Sequence, residues 1–427
     1  MAGYRPRIAD GMLELRLESF GAVLVTGPKG CGKTTTAKQR AASSIELQDE
    51  DSREGYLATA AVKPSLLLEG ANPRLIDEWQ DAPKIWGAVR KSVDDRGENG
   101  LYILTGSTSK TVETPHTGTG RISRMRMLPM SLHESGESNG TVSIGALFDD
   151  PDGYEGCASG LTVEQLVFAV CRGGWPRAVG NATDRSKLAV AKDLFAQTCE
   201  VDASNIDGVS RNPRWVRAVA KAHARSVCSP ADKKTVYGDA RAATQMSEPT
   251  YDDYVSALER LFVLDDVPAW CPAIRSKTAI RSKPKRNFVD PSIAAAALGV
   301  SPSYFNTDFK TLGFLFESLC IRDLKAYSAP LGGEVSYYRD RYGLEADCVL
   351  HLEDGRYALI EVKLGESEAE AAASHLLHIE RLVSEANAKS PQCPIRPPDL
   401  KIVLTGTQYG YRRPDGVLVV PVGCLRD

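Results

Sequence analysis

The residues best suited to chemistry lie early in the chain. Gly27, Gly32, Lys33 and Thr34 fit the spacing G-x-x-x-x-G-K-[ST], after a short apolar run (Ala22 to Val25) and before a stretch without Gly or Pro (Lys33 to Ala42). A strand, a glycine-rich turn and a helix in that order make a phosphate cradle. The loop from Gly27 through Pro28, Lys29, Gly30, Cys31 and Gly32 to Thr35 is expected to turn its available N–H groups inward, and the following helix adds its positive N-terminal end. Lys33 then reaches the phosphates, and the Thr34 hydroxyl reaches Mg²⁺.

A second stretch, RLIDEWQDAP (Arg74 to Pro83), runs apolar Leu75 and Ile76 into Asp77-Glu78. That is the layout of a buried parallel strand presenting two carboxylates at its carboxyl end. Asp77 is expected to hold Mg²⁺ through water, and Glu78 to orient and polarise the attacking water. A third strand, LYILTGS, brings Thr105, Ser107 and Thr108 beside the γ-phosphate, with Ser107 as a phosphate sensor. The stretch Thr117 to Leu132 combines a glycine-rich loop with Arg121, Arg124 and Arg126. Arg121 is expected to stabilise charge on the transferring phosphoryl group, in its own site or in that of a neighbour in a homo-oligomer.

Far downstream, EADCVLHLEDGRYALIEVKLG (Glu345 to Gly365) alternates with period two around one turn, which predicts two paired strands. A two-residue Asp-Gly turn would set the small apolar residues of one strand against the polar set of the other. A three-residue loop, Glu353-Asp354-Gly355 with Gly355 left-handed, restores the match. Asp347 then faces Glu361, with Lys363 one diagonal step away. The trio resembles the D…E-x-K core of restriction-endonuclease-like nucleases. The resemblance implies that Asp347 and Glu361 bind Mg²⁺ while Lys363 activates water or steadies developing charge, with Glu317 as a helix-borne acid. A half-exposed hairpin would show the same alternation. His375 and His378 lack a third ligand and read as surface residues.

The elements that must position these groups divide a chain of 427 residues into about two to four domains. A net charge of −3 excludes wholesale electrostatic wrapping of nucleic acid but permits a local basic patch. One such patch is AIRSKTAIRSKPKRNF, which carries Arg275, Lys277, Arg281, Lys283, Lys285 and Arg286 without an acid. It follows a helix, TYDDYVSALERL, and an expected strand, FVLDDVPAW, in a part that resembles a winged helix. Its wing would lie along a DNA backbone, or form an ordinary solvated hairpin. Upstream, a helix ending at Arg172 is broken by Gly173-Gly174-Trp175-Pro176, and helices over Ser186 to Val201 and Pro213 to Ser226 complete a lid. The ten cysteines are scattered without a C-x-x-C pair, as in a reduced cytoplasm. No secretory signal and no apolar run of roughly 18 to 20 residues is present, so a cytoplasmic protein without a membrane partner is expected.

YRPRIAD, GPKGCGKTTTA, RLIDEWQDAP, LTGST, HTGTGRI and LPMSLHESG, in this order, resemble a bacterial and archaeal family of AAA-type ATPases. Its members pair an N-terminal ATPase with a C-terminal domain of unknown function (DUF4143). The resemblance implies ATP as ligand and hydrolysis as activity. The expected architecture is α/β. A P-loop NTPase (AAA-type) parallel sheet core spans 1–150, a helical lid 151–231, a winged-helix-like domain 232–290, and an α/β restriction-endonuclease-like domain 291–427. The expected function is a Mg²⁺-dependent ATPase coupled to a DNA-binding and DNA-cleaving region. A nucleotide-gated interaction protein with an inactive nuclease-like domain is the alternative.

Overall fold

A computed structural model describes residues 3–106, 117–271, 283–340, 342–389, 391–392 and 394–427. In its first sheet, β1 (Ala22–Thr26), β2 (Ser43–Glu46), β3 (Arg74–Asp77), β4 (Tyr102–Thr105) and β5 (Ile122–Arg126) run parallel in the order β2-β3-β4-β1-β5. The central strands are short continuous apolar runs because a parallel sheet is covered on both faces. Val23, Val25, Leu75 and Ile103 enter one core, while Ala22, Leu24, Ile76 and Leu104 enter another. The helix Lys84–Arg96 closes the second face with Ile85, Trp86, Val89 and Val93, all buried. Because β4 lies between β1 and β3, the carboxyl ends of these three strands share one edge. Thr105 is in register with Val25 on one side and Asp77 on the other.

After β5 the chain crosses to the second sheet and back. β6 (Val142–Ser143) pairs parallel with β14 (Leu425–Arg426) as a separate two-stranded sheet, and β7 (Gly156–Ala158) pairs antiparallel with β12 (Tyr409–Arg412) in the second, seven-stranded sheet. The remaining strands of that sheet are β8 (Glu334–Arg339), β9 (Glu345–His351), β10 (Tyr357–Lys363), β11 (Leu400–Thr405) and β13 (Leu418–Pro421). Their order is β7-β12-β13-β11-β10-β9-β8. Cys348, Leu350, Ala358 and Ile360 pack toward the helix Phe309–Ser328, and Val349 and Leu359 toward the helix Ala369–Lys389. Both faces of the β9–β10 hairpin are therefore covered, and the half-exposed arrangement does not occur. One hydrophobic cluster runs from Ala9 to Leu425 and includes residues of both sheets.

Between the sheets lie the helices Val163–Arg172, Pro176–Gly180, Asp184–Gln197, Pro213–Arg225, Lys233–Thr244, Glu248–Arg260 and Pro291–Leu298. The strand expected over 262–270 is reduced to isolated bridges, Leu264 with Phe288, Val267 with Lys285, and Ala269 with Tyr337. Pro268 has no N–H to donate, and the chain changes partners across it.

Candidate functional site

At the carboxyl end of β1, Gly27 (φ 144°) passes so close to the Met127 carbonyl that a Cβ there would collide with backbone. Gly32 (φ 105°) caps the helix Lys33–Arg40 in a left-handed conformation, which glycine adopts without steric cost. Lys33 is buried and lies along the loop, its Nζ donating to the carbonyls of Gly27 and Pro28 at 3.0 Å each. Thr34 Oγ1 donates to Asp77 Oδ1 at 2.8 Å, and Thr105 Oγ1 donates to the same oxygen. Burial pushes the Asp77 carboxyl up, while the two hydroxyls pull it down. A hydroxyl and a carboxylate oxygen meeting at the phosphate loop are hard donors of the kind Mg²⁺ takes.

Glu78 follows in the left-handed region (φ 56°, ψ 46°) and lines a cleft of about 810 Å³ with Lys29, Lys33 and Thr34. Across this cleft stand Arg177 and Asp202 from the helical segment, and Lys29 reaches Asp202 at 3.1 Å. A second cavity of about 370 Å³ adjoins at Gly32 and Thr35, bounded by Tyr4, Gln39, Met130 and Pro176. Ser107 lies outside the described residues.

Two arginines that sequence reasoning missed belong here. Arg7 is buried and donates to the carbonyls of Cys31 (2.9 Å) and Leu128 (2.8 Å) and to Glu134 (3.0 Å), bracing the phosphate loop from behind. Arg177 follows the Pro176 break, whose glycine-rich context was its one signal.

Arg121 does not come to the cleft. It precedes β5, which runs parallel to β1, so it sits beside Ala22 at the opposite edge of the sheet and pairs with Asp94 at 2.7 Å. Neither of the other two arginines lines the cleft. Arg124 lies over Trp86, and Arg126 pairs with Asp265 at 2.9 Å.

In the second sheet the β9–β10 register pairs Ile360 with Cys348, so the next pair is Glu361 with Asp347. Gly355 takes φ 87°, and the Leu352 N–H donates to the Arg356 carbonyl at 2.8 Å across the three-residue loop. Lys363 Nζ lies 2.6 Å from Glu361 and 3.0 Å from Asp347. Burial, and then the Asp347 charge, raise the Glu361 carboxyl to about 8. Burial pushes the Asp347 carboxyl up, but the charges of Lys285 and Lys363 and the Val362 N–H bring it below the usual range. Glu317, from the helix Phe309–Ser328, shares with Asp347 and Lys363 a cleft of about 730 Å³.

Lys285 requires a correction. Rather than facing solvent in a basic hairpin, it is 1 % exposed, with Nζ 2.6 Å from Glu317 and 2.9 Å from the Asp347 carbonyl. These neighbours outweigh burial and hold its ammonium charged. Arg286 is tied to Asp266 at 2.6 Å, and Lys283 pairs with Asp232. Arg275, Lys277 and Arg281 lie outside the described residues.

His375, half-exposed, brings Nδ1 to 3.9 Å from Glu361 Oε1, which has no hydrogen-bond partner among the described residues. Among those residues, no three His, Cys, Asp or Glu side chains converge as a metal site.

Comparison with known proteins now bears on the phosphate loop. The AAA domain family matches residues 19–136. Residues 19–136 therefore carry an AAA-type ATPase domain. A domain of unknown function (DUF8612) matches 163–304, and a second (DUF4143) matches 312–425. Among solved structures, this chain is similar to the Walker-type ATPase of Pyrococcus abyssi. The identity is 14%, the TM-score 0.43, and the match covers 69% of this chain and 96% of that one. A signal transduction ATPase with numerous domains and a tetratricopeptide repeat sensor, from Pyrococcus horikoshii, matches at 14% identity and TM-score 0.25, over 78% of this chain and 49% of its own. A chain of Drosophila ORC bound to DNA matches at 14% and 0.18, over 68% and 85%. No curated protein matches the sequence. No helix among the described residues is long and apolar enough to cross a membrane.

Proposed function

We propose that the cleft at the end of β1 hydrolyses ATP with Mg²⁺, using Lys33 and the loop N–H groups on the phosphates, Thr34 and Asp77 on the cation, and Glu78 on the attacking water. Mg²⁺, when bound, supplies charge neutralisation between the phosphates. The observation that carries the reading is the shared Asp77 oxygen, which takes hydroxyls from both Thr34 and Thr105 and stands one residue before Glu78. The buried Lys33 ammonium is held on the loop by two carbonyls that a phosphate oxygen would replace as its partners. The nucleoside extends into the second cavity past Tyr4 and Pro176. From the far edge of the sheet, Arg121 could serve only a neighbouring copy. Loss of ATP hydrolysis in Lys33→Ala and a nucleotide-trapped Glu78→Gln test the assignment, and undiminished turnover in both would sink it.

A second reading concerns the other sheet, taken as a nuclease-like fold beside a winged-helix-like segment. Asp347, Glu361 and Lys363 lie within ion-pairing distance in the register that a D…E-x-K site needs. That supports Mg²⁺-assisted attack on a phosphodiester, with DNA as the partner met through Arg275, Lys277, Arg281 and Lys283. The buried Lys285 favours the alternative, an inactive cluster in a nucleotide-gated binding protein, because an ammonium already neutralises Glu317. Plasmid nicking with Mn²⁺, lost in Asp347→Ala, decides between them.

A further inference from the structure

Gln80 is a buried carboxamide in the 3₁₀ turn Trp79–Asp81 that follows Glu78. Its Nε2 donates to Glu78 Oε2 across two residues. Its Oε1 is buried and has no hydrogen-bond partner among the described residues. A buried polar atom left unpaired is costly, and a methionine of similar length would fill the same space without that cost. Packing does not explain a glutamine at this position.

Two further facts fix the place and the direction of the amide. Gly106, just past the end of β4, lies so close that a Cβ there would run into Oε1. Turning the amide over would put an oxygen against the Glu78 carboxylate instead of a donor. The side chain is thus wedged between β4 and Glu78 with its N–H₂ aimed at the carboxylate. Glu78 itself holds a left-handed backbone, which costs a residue with a Cβ some strain and is kept where the surroundings over-determine it. Strain at Glu78 and an unpaired atom at Gln80 meet at a carboxylate that lines the phosphate cleft beside Lys33 and Thr34.

We infer that Gln80 is a positioning residue for hydrolysis. Its amide donor sets the rotamer of Glu78, and through it the direction in which Glu78 holds the attacking water, while Gly106 keeps the amide in place. The inference rests on the ATPase reading of the cleft. Gln80 touches neither nucleotide nor water in this scheme, so its effect falls on turnover and not on binding.

The test is Gln80→Met in the full-length chain, with ATP hydrolysis, nucleotide affinity and thermal melting measured together. The expected result is a fall in kcat of roughly 10- to 100-fold, the scale of a small misplacement of a reacting group. KM and nucleotide affinity should stay within about twofold, and the melting temperature should hold or rise, because the unpaired oxygen is gone. A purely structural role would lower the melting temperature instead. Gly106→Ala should reproduce the loss of kcat by displacing the amide. In a Glu78→Gln background, Gln80→Met should add nothing, since both act through one group. Wild-type turnover in Gln80→Met, or additive loss in the double variant, would overturn this role and leave the ATPase reading intact. Absence of Lys33-dependent hydrolysis in the wild type would overturn both.

Discussion

The guanidinium of Arg7 donates to the carbonyl of Cys31 at 2.9 Å, so a residue ahead of the first helix grips the phosphate loop by its backbone. The same side chain pairs with Glu134, both being 4% exposed, and Glu134 also accepts the N–H groups of Ile8 and Ser131. Two residues before Glu134, the Leu132 N–H donates to Asp323 on the helix Phe309–Ser328. Loop, first helix and second sheet are therefore joined by buried polar contacts.

Arg7→Met should destabilise the protein by about 3 to 5 kcal/mol, because it leaves Glu134 buried without its cation. Urea unfolding measures this. Arg7→Met combined with Glu134→Leu should recover part of the loss, and equal stability of the single variant and wild type would contradict the bracing role.

Gly174 offers a sharper steric test. Met130 donates its N–H to the Gly174 carbonyl at 2.6 Å, Gly174 donates to Asp290 at 2.9 Å, and a Cβ on Gly174 would enter the Met130 backbone. Gly174→Ala should cost about 2 kcal/mol or more, through overpacking and strained hydrogen bonds. The same change at Gly180, where a Cβ meets nothing, should stay within about 0.5 kcal/mol. Comparable thermal melting of the two variants would refute the packing argument.

His223 predicts an acid sensitivity. It is buried, bonds Tyr251 at 3.0 Å through Nε2, and burial, with a smaller push from Arg286, lowers it to about 3. The unfolded chain takes up the proton near pH 6.5 and the folded chain near 3, so stability is complete above 6.5 and declines as pH falls through that window. Between pH 6.5 and 5 the loss from this one group is about 2 kcal/mol. Denaturation of His223→Gln should show a correspondingly flatter pH dependence, and an unchanged slope would remove His223 as the cause.

Lys285→Met should destabilise by about 3 to 5 kcal/mol through the stranded Glu317. The pair Lys285→Met and Glu317→Leu should be close to neutral, because removing both charges removes both desolvation costs. Failure of the double variant to recover would show that Lys285 has a further partner, the Asp347 carbonyl being first in line.

Local order in the sequence made part of this legible. The phosphate loop, the strand carrying Asp77 and the three-residue hairpin loop follow from glycine positions and period-two alternation, which neighbouring residues determine. Lys285 was misread because charge density in a run of basic residues says nothing about burial, and its partners lie 32 and 62 residues further on. Arg121 was readable in principle. The residue that opens a parallel strand lies at the edge opposite the loop that closes its neighbour, and Arg121 opens β5. β6 and β7 carry too few residues for any period to register, and their partners, β14 and β12, lie more than 250 residues further on.

The pairing of Ala158 with Tyr409 also sets a timetable. About 250 residues separate the two, and a ribosome adding roughly 5 to 20 residues per second delivers the second some 12 to 50 s after the first. For that interval β7 has no partner. A fragment cut anywhere between the sheets inherits the same unfinished edge for good, with β12 exposing open backbone donors and acceptors to any strand that meets it.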